Sequence, residues 1–137
     1  MAIRPTGDAS IDAFLRCRRF AVVGASTDRS KYGNKVLRCY LQHGLDVSAV
    51  NPREASIEGV DARPRLADLD PAPEALSIIT PPRVTERVIG EAAALGIRNV
   101  WMQPGAESDA AIEAAEAAGM NVIAGGPCLL VVLGFRE

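Results

Sequence analysis

The sequence predicts a single α/β domain, residues 1–137, with a doubly wound and mostly parallel sheet of five to six strands. Short apolar runs alternate along the chain with amphipathic segments at helical spacing. The connections between them are short and carry glycine, proline or asparagine. This alternation is typical of a parallel sheet that is covered by helices on both faces. A chain of 137 residues is long enough to bury one hydrophobic core.

Bulk composition narrows the classes of function. The formal net charge is −2, which argues against a nucleic-acid partner. The three cysteines lie far apart and form no C-x-x-C pair, as expected for free thiols in a reducing cytoplasm. No signal peptide is indicated, and the longest apolar run, Cys128–Phe135, is far too short to cross a bilayer. We therefore expect a cytoplasmic protein without a membrane partner or a metal site.

The first predicted element is a short helix that follows a polar lead-in, residues 1–9. Asp8 or Ser10 can cap its start, and basic residues from Arg16 to Arg19 would complement the helix dipole at its end. Its apolar face consists of Ile11, Phe14 and Leu15. We expect this helix to pack on the edge of the sheet.

The chain is organised around a strand, a tight turn and a helix. The apolar run Phe20–Val23 predicts a strand buried on both faces, and it ends abruptly at Gly24. A helix is predicted from about Lys31 to His43, with Gly44 as the residue that ends it. Such a turn directs backbone N–H groups and the positive end of the helix dipole to one point, which suits a phosphate. The candidate phosphate-binding residues are Gly24, Ala25, Ser26 and Thr27, with charge added by Arg29 and Lys31.

This turn departs from the known phosphate-binding motifs. The dinucleotide fingerprint requires G-x-G-x-x-G, but here Ser26 replaces the second glycine and the next glycine is Gly33. No Gly-Lys-Ser/Thr follows, so the Walker pattern is absent as well. The alternative is an ordinary tight connection between a strand and a helix.

The second strand, Asp46–Val50, leads into Asn51, Pro52 and Arg53. In NAD-binding sheets this strand usually ends near an Asp or Glu that binds the ribose hydroxyls. Arg53 would instead pair with an additional phosphate on the ribose, as in NADP or coenzyme A. Pro52 offers a flat apolar face for adenine. The alternative is an exposed loop arginine.

The later elements repeat the pattern of strand and helix. They are an extended piece at 59–64, a helical turn at 66–69, strands at 75–79, 99–102 and 121–123, and helices at 83–95 and 109–118. The architecture is Rossmann-like, in which ligands bind beyond the carboxyl ends of the strands. The exits of the later strands therefore join the candidate site, and they are Thr80–Pro82, Gln103–Gly105 and Gly125–Cys128.

No catalytic constellation is recognisable. His43 is the only histidine, and we expect it at an exposed helix end. The acidic residues fall mostly on predicted helix faces or in loops, without a partner for acid–base chemistry. Cys128 is interpreted as a buried structural cysteine, the alternative being a contact with the thiol end of a ligand. The apolar tail 129–133 packs on the sheet or forms an oligomer contact, and we favour packing.

Four motifs in fixed order resemble the small stand-alone CoA-binding proteins, which are similar to the CoA-binding domain of the succinyl-CoA synthetase α subunit. The motifs are Val23-Gly24-Ala25-Ser26, Val50-Asn51-Pro52-Arg53, Ile78-Ile79-Thr80-Pro81 and Val100-Trp101-Met102-Gln103-Pro104-Gly105-Ala106. The resemblance covers roughly residues 16–128.

The resemblance implies a CoA site and a role for each motif. Gly24, Ala25, Ser26 and Thr27 would hold phosphates, with Lys31 as a further contact. Asn51, Pro52 and Arg53 would place a cation near the adenosine end, and Ile79, Thr80 and Pro81 would line the adenine and pantetheine side. The role of Gln103–Gly105 is left open.

The resemblance does not extend to the histidine that is phosphorylated in the synthetase, and His43 lies in the wrong place to replace it. The favoured function is therefore a non-catalytic protein that holds CoA or an acyl-CoA. Two alternatives remain, an NADP-dependent oxidoreductase and a subunit of an acyl-CoA synthetase that acts with a partner chain. A homo-oligomer is also possible.

Overall fold

The structure is a computed structural model that describes residues 6–137. The first five residues of the predicted polar lead-in, 1–9, lie outside the described residues. The helices are α1 (Ala9–Leu15), α2 (Tyr32–Gln42), α3 (Pro82–Ala94) and α4 (Asp109–Ala117). The strands are β1 (Arg19–Val23), β2 (Asp46–Val50), β3 (Ser56–Ile57), β4 (Val60–Arg63), β5 (Ala75–Ile78), β6 (Asn99–Met102) and β7 (Asn121–Ile123). A 3-10 turn at Leu66–Asp68 and a π-helical turn at Leu130–Gly134 complete the described elements.

The strands form one sheet in the order β3-β4-β2-β1-β5-β6-β7. Every pairing is parallel except that of β3 with β4. The doubly wound, mostly parallel prediction is confirmed, but the predicted five to six strands are too few. The additional strand, β3, has only two residues and pairs with β4 through a tight turn. Two residues are too few to leave a periodic signal in the sequence.

The predicted first helix is confirmed at its start and wrong at its end. Asp8 caps α1, because its Oδ1 accepts hydrogen bonds from the backbone N–H groups of Ser10 (2.9 Å) and Ile11 (3.2 Å). The basic run to Arg19 does not extend the helix. Glu74 accepts a hydrogen bond from the Arg18 backbone N–H (2.6 Å), and Arg19 already belongs to β1. At this end, pairing of Arg19 in the sheet therefore outweighs the favourable interaction of basic residues with the helix dipole.

Helices cover both faces of the sheet and bury two separate clusters. One face holds α1, α2 and an aromatic group in which the Phe14 ring meets Trp101 edge-on at 5.3 Å and Phe20 at 5.7 Å. The other face holds α3 and α4 over side chains such as Leu76 and Val100. Neighbouring residues of β1 alternate between these clusters, as expected for a strand buried on both sides.

The remaining predicted elements are confirmed, with bounds that shift by a residue or two. The extended piece at 59–64 contains β4, and the helical turn at 66–69 is the 3-10 turn. Gly44 follows α2 with φ of 69°, the left-handed conformation that a glycine adopts without strain.

The apolar tail packs on the α2 face, as favoured from the sequence. Leu129 is fully buried, and most of the turn after it contacts the same cluster, whereas Val131 stays 81% exposed. His43 lies at the end of α2, and its Nε2 hydrogen-bonds the Gly134 carbonyl oxygen at 2.9 Å. Gln42 exchanges two further hydrogen bonds with the backbone of Arg136. The tail is thus held along α2 by apolar and polar contacts.

Within residues 6–137, no helix is both long enough and apolar enough to cross a membrane.

The aromatic group generates a stability prediction. Replacing Phe14 with Ala should lower the free energy of unfolding by about 3–5 kcal/mol, because it removes a fully buried ring and leaves a cavity. Urea denaturation followed by circular dichroism measures this change. The control is Val131→Ala, whose side chain is largely exposed and whose loss should leave the unfolding midpoint unchanged. A Phe14→Ala protein as stable as the unchanged chain would contradict the packing of α1 described above.

Candidate functional site

The candidate site lies at the carboxyl ends of β1, β2 and β5. Strands β2 to β4 lie on one side of β1 and strands β5 to β7 lie on the other, so the point between β1 and β5 is the topological switch of the sheet. A cleft of about 440 Å³ opens there. It is lined by Gly24, Ala25, Ser26, Lys31, Tyr32, Gly33, Asn51 and Ile79. The sheet therefore places the cleft where open α/β sheets bind their ligands.

Two glycines allow three backbone segments to meet at the base of this cleft. A Cβ atom at Gly24 would lie 2.0 Å from the carbonyl oxygen of Ile79, and the φ of Gly24 is 95°. A Cβ atom at Gly33 would lie 2.0 Å from the carbonyl oxygen of Gly24. Any side chain at either position would force the segments apart. The start of α2 consequently sits directly on the turn that follows β1.

The start of α2 supplies hydrogen-bond donors to the cleft. The first N–H groups of a helix, here those of Tyr32 and Gly33, have no acceptor within the helix. Lys31 stands at the N-cap and makes no side-chain capping bond. The helix dipole adds partial positive charge at the same end. This end of the cleft can therefore bind an anion.

Asn51 joins the turns that follow β1 and β2. Its Nδ2 donates to the carbonyl oxygen of Ala25 at 2.9 Å. Its Oδ1 accepts from the backbone N–H groups of Arg53 (2.8 Å) and Glu54 (2.9 Å). The side chain thus joins the cleft wall that follows β1 to the wall that follows β2, and it shapes the Asn51–Arg53 turn. The sequence indicated a turn at this position but not the bond to Ala25.

Short bonds within the loop shape the turn after Ser26. Ser26 Oγ accepts from the backbone N–H of Asp28 at 3.1 Å, which leaves its own hydroxyl proton to donate. Asp28 accepts from the backbone N–H (3.0 Å) and hydroxyl (2.7 Å) of Ser30. These Ser30 bonds lower the pKa of the Asp28 carboxyl. Thr27 is exposed and does not line the cleft.

The basic side chains near the cleft differ in their partners. Within the part of the chain that the structure describes, Lys31 and Arg53 form no ion pair. Both are exposed, and of the two only Lys31 lines the cleft. Arg29 is paired with Glu58 at 2.6 Å. Lys31 and Arg53 are therefore the cations left available to a ligand.

The exit of β5 forms the third wall. Ile79 lines the cleft, and its backbone N–H bonds the carbonyl oxygen of Val23 at 2.8 Å. Thr80 and Pro81 do not line the cleft. The Thr80 hydroxyl bonds the buried hydroxyl of Thr85 at 2.7 Å, and Pro81 is the N-cap of α3. They therefore shape the start of α3 beside the cleft.

A buried polar group next to the cleft belongs to the motif Gln103–Gly105, whose role the sequence left open. Gln103, which is fully buried, accepts hydrogen bonds at Oε1 from the Tyr32 hydroxyl (3.3 Å) and the Leu129 backbone N–H (2.9 Å). The Tyr32 hydroxyl also contacts the thiol of Cys128, which is half-buried rather than fully buried. Burial, and then the contact with Cys128, raises the pKa of Tyr32. Gln103 thus ties the start of α2 to the C-terminal segment, a link between residues far apart in sequence.

The predicted site residues are brought together in two groups. Six of the predicted residues line the cleft: Gly24, Ala25, Ser26, Lys31, Asn51 and Ile79. The other five lie on the turns beside it: Thr27, Pro52, Arg53, Thr80 and Pro81. The cleft residues that the sequence did not suggest are Tyr32 and Gly33. The only signal for Gly33 was its place as the next glycine after the turn.

The fold and cleft define a Rossmann-like domain of the nucleotide-binding class. The strand order, the glycine-dependent turn and the helix start at the switch point are the features of that class. Residues 18–134 match the CoA binding domain family, which is most of the chain. The chain belongs to this family.

The relatives are of two kinds. A solved structure of a conserved hypothetical protein from Pyrococcus furiosus is 36% identical, with a TM-score of 0.78, and the match covers 83% of this chain and 97% of that one. The α subunit of an ADP-forming acetate–CoA ligase II from the same organism is 29% identical over 91 residues, which are 66% of this chain. The match covers only 20% of that subunit's length.

A second relative also matches this chain over only a small part of its own length. The dinucleotide-forming acetyl-coenzyme A synthetase 1 of Ca. Korarchaeum cryptofilum, solved with phosphate and ADP, is 26% identical with a TM-score of 0.70. It matches 78% of this chain but only 25% of its own length. The fold of this chain therefore occurs both at similar length and as one portion of larger proteins.

The glycine contacts generate the second prediction. Gly33→Ala should lower the free energy of unfolding by about 1–3 kcal/mol, because the new methyl group would collide with the Gly24 carbonyl oxygen. The matched control is Gly90→Ala on α3, where a Cβ atom meets nothing within 4 Å. That change should raise the free energy by about 0.5–1 kcal/mol through helix propensity alone. Urea denaturation compares the two, and a gain of stability in Gly33→Ala would refute the close contact.

Proposed function

We propose that this protein binds coenzyme A in the cleft and does so without catalysing a reaction on it. The observation that carries the proposal is the start of α2, which rests on the Gly24 carbonyl and directs its free N–H groups into a cleft at the switch point. Membership of the CoA binding domain family supports CoA, and nothing in it supports the NADP alternative.

Each wall of the cleft is assigned to one part of the CoA molecule. Gly24 shapes the turn, because its own N–H already donates to the Val50 carbonyl oxygen at 3.4 Å. The backbone N–H groups from Ala25 to Thr27 and at the start of α2, with the Ser26 hydroxyl and Lys31, hold the pyrophosphate. Arg53 pairs with the 3′-phosphate of the ribose, and Pro52 lies against adenine. Ile79, Thr80 and Pro81 line the side where adenine and pantetheine pass. Asn51 acts by keeping the two turns at their observed separation.

The side chains of the cleft support a binding role over a catalytic one. The polar ones among them, Ser26, Lys31, Tyr32 and Asn51, do not include a carboxylate or an imidazole. The Tyr32 hydroxyl has a raised pKa, so it stays protonated at neutral pH and is a poor general base. Within residues 6–137, no group of three or more His, Cys, Asp or Glu side chains is placed to hold a metal ion.

A second candidate function is that of a CoA-binding subunit that works with a ligase chain. It is favoured by the match to part of the acetate–CoA ligase α subunit and by the exposed Val131 in an otherwise packed apolar tail. Co-purification with a larger ligase chain would support it, and self-association of the purified protein would favour a homo-oligomer instead. The three free thiols agree with a cytoplasmic location for either function.

The role of Arg53 is tested with two ligands. Arg53→Ala should weaken CoA binding by about tenfold, because a charge-assisted pair with the 3′-phosphate is lost. Binding of 3′-dephospho-CoA should change little, because that ligand has no 3′-phosphate. Isothermal titration calorimetry measures both affinities. The control is Arg98→Ala. It removes an exposed arginine that precedes β6 and so lies at the amino end of that strand, away from the carboxyl ends that form the cleft.

Equal losses for CoA and 3′-dephospho-CoA would show that Arg53 does not read the 3′-phosphate. The unchanged protein is titrated in parallel with CoA, NADP and NAD. Binding of NADP without binding of CoA would overturn the proposed function and leave the fold intact.

A further inference from the structure

Glu58 holds an unusual backbone conformation at the tip of the β3–β4 hairpin. Its φ is 51°, and it is the sole residue other than glycine with a positive φ in the described range 6–137. Gly59 follows with φ of 80°, so two consecutive left-handed residues form the turn. Asn, Asp and Gly adopt this conformation more readily than Glu. An observed strain of this kind indicates that the side chain has a task elsewhere.

The Glu58 carboxylate reaches across to the turn that follows β1. Its Oε1 accepts from Arg29 Nη1 at 2.6 Å, and its Oε2 accepts from Asn34 Nδ2 at 3.0 Å. The same Asn34 Nδ2 donates to the carbonyl oxygen of Ser26 at 2.9 Å. Asp and Asn suit this backbone conformation better, but their side chains are one methylene group shorter than that of Glu. The hairpin is therefore linked to the phosphate turn, residues 26–31, directly at Arg29 and through Asn34 at Ser26.

The buried side chain of Arg38 adds two hydrogen bonds to this network. Its Nε donates to Asn34 Oδ1 at 2.6 Å, and its Nη2 donates to the carbonyl oxygen of Arg29 at 2.9 Å. Asn34 and Arg38 are both buried on α2. The hydrogen bond from Asn34, together with the bond and charge of Arg29, lowers the pKa of the Glu58 carboxyl. The groups that Glu58 contacts thus favour its charged form.

We propose that Glu58 is a positioning residue that locks the phosphate turn in its ligand-ready shape. The inference rests on the proposed function, because the turn is the part of the cleft assigned to the pyrophosphate. A turn that is already ordered loses less conformational entropy when a ligand binds. Glu58 itself does not line the cleft, and Arg29 compensates its negative charge. The hairpin strain is thus the cost of presenting a carboxylate at this position.

Glu58→Asn separates this role from a purely structural one. Asn suits the left-handed backbone, so the unfolding midpoint should stay equal or rise, whereas the carboxylate that reaches Arg29 and Asn34 is lost. We expect CoA binding to weaken by about tenfold. Glu58→Gln keeps the length but not the charge and should weaken binding by about threefold. Glu54→Asn is the matched control, since it removes a carboxylate from an exposed residue of the same connection.

Hydrogen exchange of the free protein provides a readout that does not depend on CoA. The hydrogen-bonded backbone amides of Asp28, Ser30 and Lys31 should exchange faster in Glu58→Asn than in the unchanged protein or in Glu54→Asn. Unchanged exchange would overturn the positioning role, whether or not CoA binds.

The CoA titrations distinguish failure of the proposed function from failure of the positioning role. If the unchanged protein does not bind CoA, the proposed function fails, and hydrogen exchange alone decides the role of Glu58. If it does bind and Glu58→Asn binds as tightly, the positioning role fails while the function stands. Tighter binding by Glu58→Asn would show that the carboxylate repels the phosphates, which also overturns the inference.

Discussion

The contact between three backbones at the base of the cleft is the constraint on which the rest of the site depends. Gly24 lies against the Ile79 carbonyl, and Gly33 lies against the Gly24 carbonyl, at distances that exclude any side chain. This stacking brings the start of α2 to the switch point of the sheet and aligns its free N–H groups with the cleft. The dinucleotide fingerprint reaches a similar end with three glycines, whereas here the second of those positions is a serine that can donate a hydrogen bond.

Hydrogen bonds from side chains stabilise the close approach of backbone segments that the glycines allow. Asn51 joins the turns after β1 and β2, and Gln103 joins the start of α2 to the C-terminal segment. Asn34 and Arg38 donate to backbone carbonyl oxygens of the connection 26–31, and Glu58 accepts from Asn34 and Arg29 across from the hairpin. A loop built mainly of small polar residues would otherwise sample many conformations. These bonds convert it into a fixed wall, which is the form of site that binds without having to reorganise.

Sequence reasoning succeeded where the signal is local. Buried strands are recognisable as apolar runs, and the Gly24–Ser26 turn is recognisable as a break between a strand and a helix. It failed for β3, whose two residues carry no period, and for the end of α1, where pairing of Arg19 in the sheet prevails. It assigned no role to Tyr32 or Glu58, and it left the role of Gln103 open. Their roles come from contacts between residues distant in sequence, and no spacing rule contains that information.

The order of strands has a consequence for how ligand binding and folding are coupled. β1 pairs on one side with β2, which follows soon after, and on the other with β5, so that Phe20 lies opposite Ala75. The chain must close a long loop, and lose the corresponding entropy, before Ile79 can reach Gly24. No fragment that ends before β5 contains the Ile79 wall of the cleft. The free energy of a ligand that contacts both Ile79 and the turn after β1 therefore adds to the cooperative stability of the whole domain, and a melting curve would register its binding.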